Sequence, residues 1–299
     1  MDKLQAMTVF VAVAEAQSFA GAARRLAMSP PAVTRAITAL EERLQVKLLQ
    51  RTTRLVRVTD AGQRYLEDAK RILADVDEAD EAAAGINAEP AGHLAVTAPA
   101  QFGKLYVMPG IVDYLQRYPA MSVTAMFVDR VVNLLEEGMD VGIRIGELPD
   151  SSLRALRVGQ VRPVVCAAPE YLRRHEAPNH PSELAGHALI AAGGLSAGPD
   201  WRFGSGVDAI SVRVQPRLVT TTIDAAIEAA VLGLGLTRLL SYQVAPYLAS
   251  GQLQTVLTHH EPPPIPIHVL HREGRYASAK VRSFVDLISE RLRREARWL

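Results

Sequence analysis

The stretch SFAGAARRLAMSPPAVTRAITALEERLQVKLLQRTTRLVRVTDAG, residues 18–62, decides how the chain begins. Ser18 can cap a short helix, Phe19 to Leu26, whose Ala20, Gly21, Ala22 and Ala23 let another helix approach closely. Ser29-Pro30-Pro31 opens the next helix. Serine is a good N-cap, and proline fits the first helical position because the amide it lacks has no partner there. That helix runs to about Leu44, with Val33, Ile37, Leu40 and Leu44 on one face and Thr34, Arg35 and Thr38 on or near the other. Upstream, Leu4, Met7, Val11 and Ala14, broadened by Phe10 and Val13, predict an amphipathic first helix. Downstream, residues 50–59 alternate as a short hairpin. The whole reads as a winged helix-turn-helix. It turns Pro30, Pro31, Thr34 and Arg35 toward base edges, adds Ser29 and Thr38 to the DNA-binding face, and turns Arg51, Thr52, Thr53 and Arg54 toward phosphate or the minor groove.

Charge agrees. Among 299 residues with a net charge of +1, the stretch through Thr59 carries nine bases against four acids, and residues 60–92 carry three bases against nine acids. A basic module gains affinity for double-stranded DNA by releasing phosphate counterions. Charge alone fits a solvated basic face equally well, so the decision falls to the helix caps, the turn and the hairpin.

The same stretch closely resembles the DNA-binding segment of LysR-type transcriptional regulators. The resemblance rests on SF before the alanine-rich helix, on S-x-P-A-V-T-R-x-I-x-x-LE, and on R-T-T-R followed by T-x-A-G. Three positions depart from the family habit: Pro30 replaces a frequent glutamine, Gln45 a glycine and Leu49 a phenylalanine. The first removes a customary base contact. The second predicts a different turn after Leu44.

The acidic segment reads as a linker helix over residues 60–89, capped by Thr59. Tyr65, Ala69, Ile72, Val76, Ala79, Ala83 and Ile86 are spaced alternately by four and three, which is a coiled-coil seam. Its partner is a second subunit or, alternatively, the rest of its own chain. The resemblance favours the subunit and implies a dimer that reads a pseudo-palindromic promoter site, with two dimers commonly joining as a tetramer.

From residue 90 on the pattern is α/β. Residues 93–98, 121–128, 140–146, 161–168, 213–220 and 265–273 predict strands. Helices are expected over residues 99–118, 131–137, 169–175, 223–232 and 278–297, with a loop over 178–206. Strand–helix–strand spacing predicts parallel crossovers. Together these give a multi-domain α+β chain ending in a two-subdomain, periplasmic-binding-protein-like α/β domain over 90–299. The subdomains would be 93–162 with 267–299, and 163–266. The resemblance continues through NLLEEGMDVGIRIGEL, G-L-G-L and LASGQL, and implies that this domain binds a small-molecule effector.

Ligands of such folds sit at the carboxyl ends of strands. Thr97, Ala98, Pro99, Ala100 and Gln101 close the first strand, with backbone amides suited to a carboxylate. Asp129 and Arg144 lie at or near the next strand ends, and Gly193, Thr221 and Thr222 are their counterparts in the second half. Ordinary turn chemistry explains the glycine and threonines equally well, and Arg144 has Asp129 as an alternative partner. Trp201, Arg202 and Phe203 fall either near the cleft or in a loop.

Other classes fit poorly. No run approaches the roughly 18 apolar residues of a membrane span, and residues 1–19 make a poor signal peptide. A single cysteine, Cys166, suits a reducing cytoplasm. No HExxH, CxxC, GxSxG, phosphate-binding loop or strand-borne GxGxxG is present, so neither catalysis, cofactor nor metal is expected. A solute-binding protein shares the later fold but has no use for the first 90 residues. An enzyme carrying a DNA-binding head is the third reading.

Overall fold

The computed structural model describes residues 2–51, 56–84, 89–148, 153–193, 200–206, 209–271 and 278–295. Contacts divide the chain into one unit centred on Met1–Glu89 and a second that starts at Pro90.

The first unit packs α1 (Lys3–Ala16), α2 (Phe19–Arg25) and α3 (Pro30–Leu44) around Phe10, Val13, Val33, Ile37 and Leu40, each at most 2% exposed. Ser18 Oγ accepts from the Gly21 amide at 3.1 Å and Ser29 Oγ from Ala32 at 3.4 Å, so both serines cap as read. The buried face of α1 centres on Val9, Phe10 and Val13, whereas Leu4 and Val11 are only half-buried. Burying such side chains contributes roughly 1.5–3 kcal/mol each.

Gln45 corrects one expectation. It ends α3 in the left-handed region at φ 54°, turning there without a glycine, and its side chain donates to the Glu42 carbonyl at 2.6 Å. A hairpin follows, β1 (Leu49–Arg51) antiparallel to β2 (Val56–Val58).

Helix α4 (Asp60–Ala84) is capped by Thr59, whose Oγ1 accepts from Gly62 at 3.0 Å. Its seam is divided. Tyr65 packs edge-on against Phe10 with ring centroids 5.4 Å apart, and Ala69 is fully buried, so the first heptad belongs to the head. Ile72 and Val76 are half-buried; Ile86 lies outside the described residues.

The second unit contains two five-stranded sheets. Strands β3 (Gly92–Ala98), β4 (Met121–Phe127), β5 (Val141–Ile145) and β6 (Arg154–Val161), with β14 (Ile265–His271) from later in the chain, form the first in the order β4-β3-β5-β14-β6. Helices α5 (Ala100–Phe102) and α6 (Met108–Arg117) flank a π-turn, Gly103–Val107. Pro109, near the start of α6, lacks the amide a regular helix would use.

The second sheet runs β11-β8-β12-β7-β13. Its strands are β7 (Pro163–Ala167), β8 (Leu189–Ala192), β11 (Leu218–Thr220), β12 (Leu236–Leu240) and β13 (Gln254–Val256). A separate ribbon pairs β9 (Asp200–Phe203) with β10 (Ile210–Arg213). Helices α7 (Pro169–His175), α8 (Ile223–Val231) and α9 (Ser241–Ala249) connect these strands. The chain then returns to the first sheet through β14 (Ile265–His271) and ends in α10 (Ala279–Glu295). Both sheets share one plan: three parallel strands, a fourth running against them, and a fifth antiparallel to that one. In each case the fourth strand, β14 or β7, is the first that the chain enters after crossing from the other sheet.

Several expectations fail here. Residues 131–137 form turns, not a helix. Val128 and Asp140 are both stapled to β3, their backbone amides donating hydrogen bonds to the carbonyls of Ala98 (3.0 Å) and Ala95 (2.9 Å). The intervening Val132, Leu134 and Met139 drop into one cluster with Ala95 and Leu270 at spacings that fit no helical face. The strand read over 213–220 is split around Pro216 into β10 and β11. The supposed loop 178–206 holds β8 and β9, and Trp201 and Phe203 are buried in the second sheet's core rather than near a cleft.

Candidate nucleic-acid interface and ligand cavity

On α3 the split between faces is sharp. Val33, Ala36, Ile37 and Leu40 are buried, while Ser29, Pro30, Pro31, Arg35 and Thr38 are exposed and Thr34 is half-buried. Arg35 has no ion pair or hydrogen bond among the described residues, so its guanidinium is available to a base or phosphate. Arg51 ends β1, opposite Val56. Thr52, Thr53 and Arg54 lie outside the described residues.

One residue missed from sequence organises this face. Glu41, 7% exposed, accepts the amides of Leu48 (2.9 Å) and Leu49 (3.1 Å) through Oε1 and the ammonium of Lys47 (2.6 Å) through Oε2. It fastens the first hairpin strand to the end of α3. Burial pushes its carboxyl pKa upward, but the Lys47 and amide bonds outweigh that and hold it below the usual value. The signal was available: an acid on the apolar face of a helix demands partners.

In the second unit a cavity of about 540 Å³ lies against the ends of β3 and β5. Thr97, Ala98, Pro99, Asp129 and Arg144 are in its wall. Arg144 Nη2 donates to the Val132 carbonyl at 3.1 Å rather than pairing with Asp129. Asp129 Oδ1 instead accepts the Ala100 amide at 2.9 Å, so an amide expected to receive a ligand carboxylate is already taken.

The remaining candidates sit elsewhere. Gln101 Nε2 donates to Asp224 Oδ1 at 2.9 Å, joining the start of α5 to the first turn of α8. Gly193 turns at φ 101° and its amide donates to the Thr220 carbonyl at 3.1 Å. Thr222 caps α8 and Thr221 occupies the bend before it. Turn chemistry accounts for all three.

The wall also contains residues that the sequence did not suggest. Arg130, Ile223, Leu240, Tyr242 and Gln243 join an apolar floor that includes Leu134 and Ile143. Had β12 been recognised, the strand-end rule would have found Leu240, Tyr242 and Gln243, which close it and open α9.

Comparison with known proteins matches residues 4–63 to the model for the bacterial regulatory helix-turn-helix protein, lysR family, and residues 87–293 to the LysR substrate binding domain. The chain belongs to the LysR family of transcriptional regulators. It is a DNA-binding regulator with an effector-binding domain, in a family of regulators rather than enzymes.

Two relatives illustrate the range. A helix-turn-helix transcriptional repressor from Pseudomonas aeruginosa is 32% identical, the match covering 97% of this chain and 92% of that protein. The Escherichia coli transcriptional activator AaeR is 31% identical over 97% and 94%. Among solved structures, CrgA, a LysR-type transcriptional regulator from Neisseria meningitidis, is 30% identical with a TM-score of 0.62, covering 96% of this regulator and 98% of that chain. No helix among the described residues is long and apolar enough to cross a membrane.

Proposed function

We propose that this LysR regulator works in the cytoplasm as a self-associated reader of a pseudo-palindromic promoter site. Residues 1–59 are its head, 60–89 its linker and 90–299 its effector-binding domain. The observation that carries the DNA reading is Arg35, exposed and without a partner among the described residues, on the outward face of a helix capped by Ser29 and opened by Pro30-Pro31. Pro30, Pro31, Thr34, Arg35 and Thr38 face base edges, and Arg51 with the hairpin tip contacts phosphate. Dimerisation uses α4 from Ile72 onward, since Tyr65 and Ala69 are committed to the head. Pairing of two dimers into a tetramer completes the assembly.

The effector occupies the cavity, with an anionic group such as a carboxylate at Arg144 and Thr97 and its apolar body on Leu134, Ile143 and Ile223. The effector acts by binding one arrangement of the domain more tightly than another, which shifts the DNA-bound population.

Selection of genomic fragments at about 0.15 M salt, where non-specific binding weakens, tests the head. An interrupted palindrome should be enriched, and Arg35→Ala should lose roughly 1–3 kcal/mol of binding at one base position only. Equal losses on every sequence would make Arg35 a phosphate contact. Uniform recovery of all fragments, with or without added cell extract, would end the site-specific reading.

A further inference from the structure

We propose that the Tyr242 hydroxyl is the hydrogen-bond donor that selects the effector, pairing inside the cavity with a neutral ligand oxygen, a carbonyl or a hydroxyl. This rests on the cavity being the effector site and adds the chemistry the site demands.

The proton's direction follows from Gln243. The Leu240 amide donates to Gln243 Oε1 at 2.8 Å, so the same side chain must turn Nε2 toward the Tyr242 oxygen, 3.2 Å away. Tyr242 therefore accepts there, and its own proton points elsewhere. No acceptor takes that proton among the described residues, although Tyr242 is only 1% exposed and forms part of the cavity wall. A tyrosine hydroxyl can donate one hydrogen bond as well as accept, so with Gln243 on its acceptor side the unused donor is a place for a ligand or water.

Charge narrows the ligand group. Burial, reinforced by the nearby Asp129 carboxylate, keeps the phenol protonated. An anion seated at Tyr242 would be repelled by the Asp129 carboxylate, whereas a carbonyl or hydroxyl oxygen carries no net charge to repel. The ring is held firmly: it meets Phe102 edge-on at 5.3 Å and Tyr106 at 5.9 Å. The donor is thus fixed before the ligand arrives, which reduces the ordering cost of binding.

The test uses the whole 299-residue chain and two fragments that differ in one non-hydrogen atom, cyclohexanone and methylenecyclohexane, with affinities read by ligand-observed NMR. The wild type should favour the ketone roughly five- to tenfold, and Tyr242→Phe should erase that preference. A ratio of two ligands is insensitive to the stability lost when Gln243 Nε2 loses its acceptor. Equal affinities in the wild type, or a preference that survives in Tyr242→Phe, overturn the donor role and leave the cavity as the site. Binding of neither fragment removes the cavity reading and the donor role together.

Discussion

The two units solve the problem of presenting chemistry in opposite ways. In the first, residues 30–38 are one continuous helical segment behind the Ser29 cap, and the exposed side is simply the side that the core does not use. In the second, the cavity wall draws on residues from Thr97 to Leu270, contributed by strand ends, a turn and two helices. A local site survives if one helix is capped and packed. A dispersed site requires both sheets and their crossovers to be in place, and its residues have no shared period.

A pair of glycines offers the strongest way to break this comparison. A Cβ on Gly62 would lie 2.1 Å from the Leu48 carbonyl oxygen, and one on Gly235 would lie 2.0 Å from the Ala188 carbonyl oxygen. Both obstacles are backbone, so neither can swing aside. Gly62→Ala and Gly235→Ala should each cost about 3 kcal/mol or more. If the units are separable in stability as they are in contacts, Gly62→Ala abolishes DNA binding while fragment binding persists, and Gly235→Ala does the reverse. Hydrogen exchange would locate the loss. Loss of protection in both units from either change would show that they fold as one.

Legibility followed the same division. Caps at Ser18, Ser29 and Thr59, proline at the first position of α3 and the hairpin were all readable because each depends on neighbours in sequence. Glu41 was not singled out, since its partners, Lys47, Leu48 and Leu49, arrive only when the chain turns back. The cavity was half visible: the rule about strand ends found Thr97, Asp129 and Arg144 on the first sheet. On the second sheet it pointed to β8 and β11, while the wall uses the end of β12 and the start of α9. Composition gave no help with β12, because LTRLL follows a glycine-rich turn and carries an arginine mid-strand. That arginine, Arg238, lies 5.4 Å from the Phe203 ring centroid and donates to the Arg202 carbonyl.

Glu41 sharpens the comparison at intermediate strength. Glu41→Gln removes the charge but keeps the shape, and should cost the head about 2 kcal/mol by weakening the Leu48, Leu49 and Lys47 bonds. The pH dependence has a definite sign. Because the folded pKa is depressed, the stabilisation is fully present above the ordinary value near 4.5 and disappears as pH falls through the lower, folded value. Denaturant titrations of wild type and Glu41→Gln should therefore differ at pH 7 and converge as pH drops below about 4. A gap that stays constant down to pH 3 would mean that the carboxylate contributes packing rather than charge.

The smallest expected effect concerns Cys166, on β7 in the second unit. The thiol is fully buried among Val164, Ile190, Ala226 and Leu239, and burial raises its pKa to about 12. Thiolate is the reactive form, so at pH 8 almost none is available and nothing can reach it. An aromatic disulfide reagent should label the native regulator only as fast as the second sheet opens, and Cys166→Ala should leave DNA and fragment binding unchanged. Gly62→Ala, which damages only the head, should not accelerate labelling; Gly235→Ala should accelerate it strongly, because β12 pairs with β7 directly at Cys166. Fast labelling of the wild type at pH 8 would show that the second sheet opens at an edge without unfolding. The strand at that edge beside Cys166 is β13, paired through Thr255.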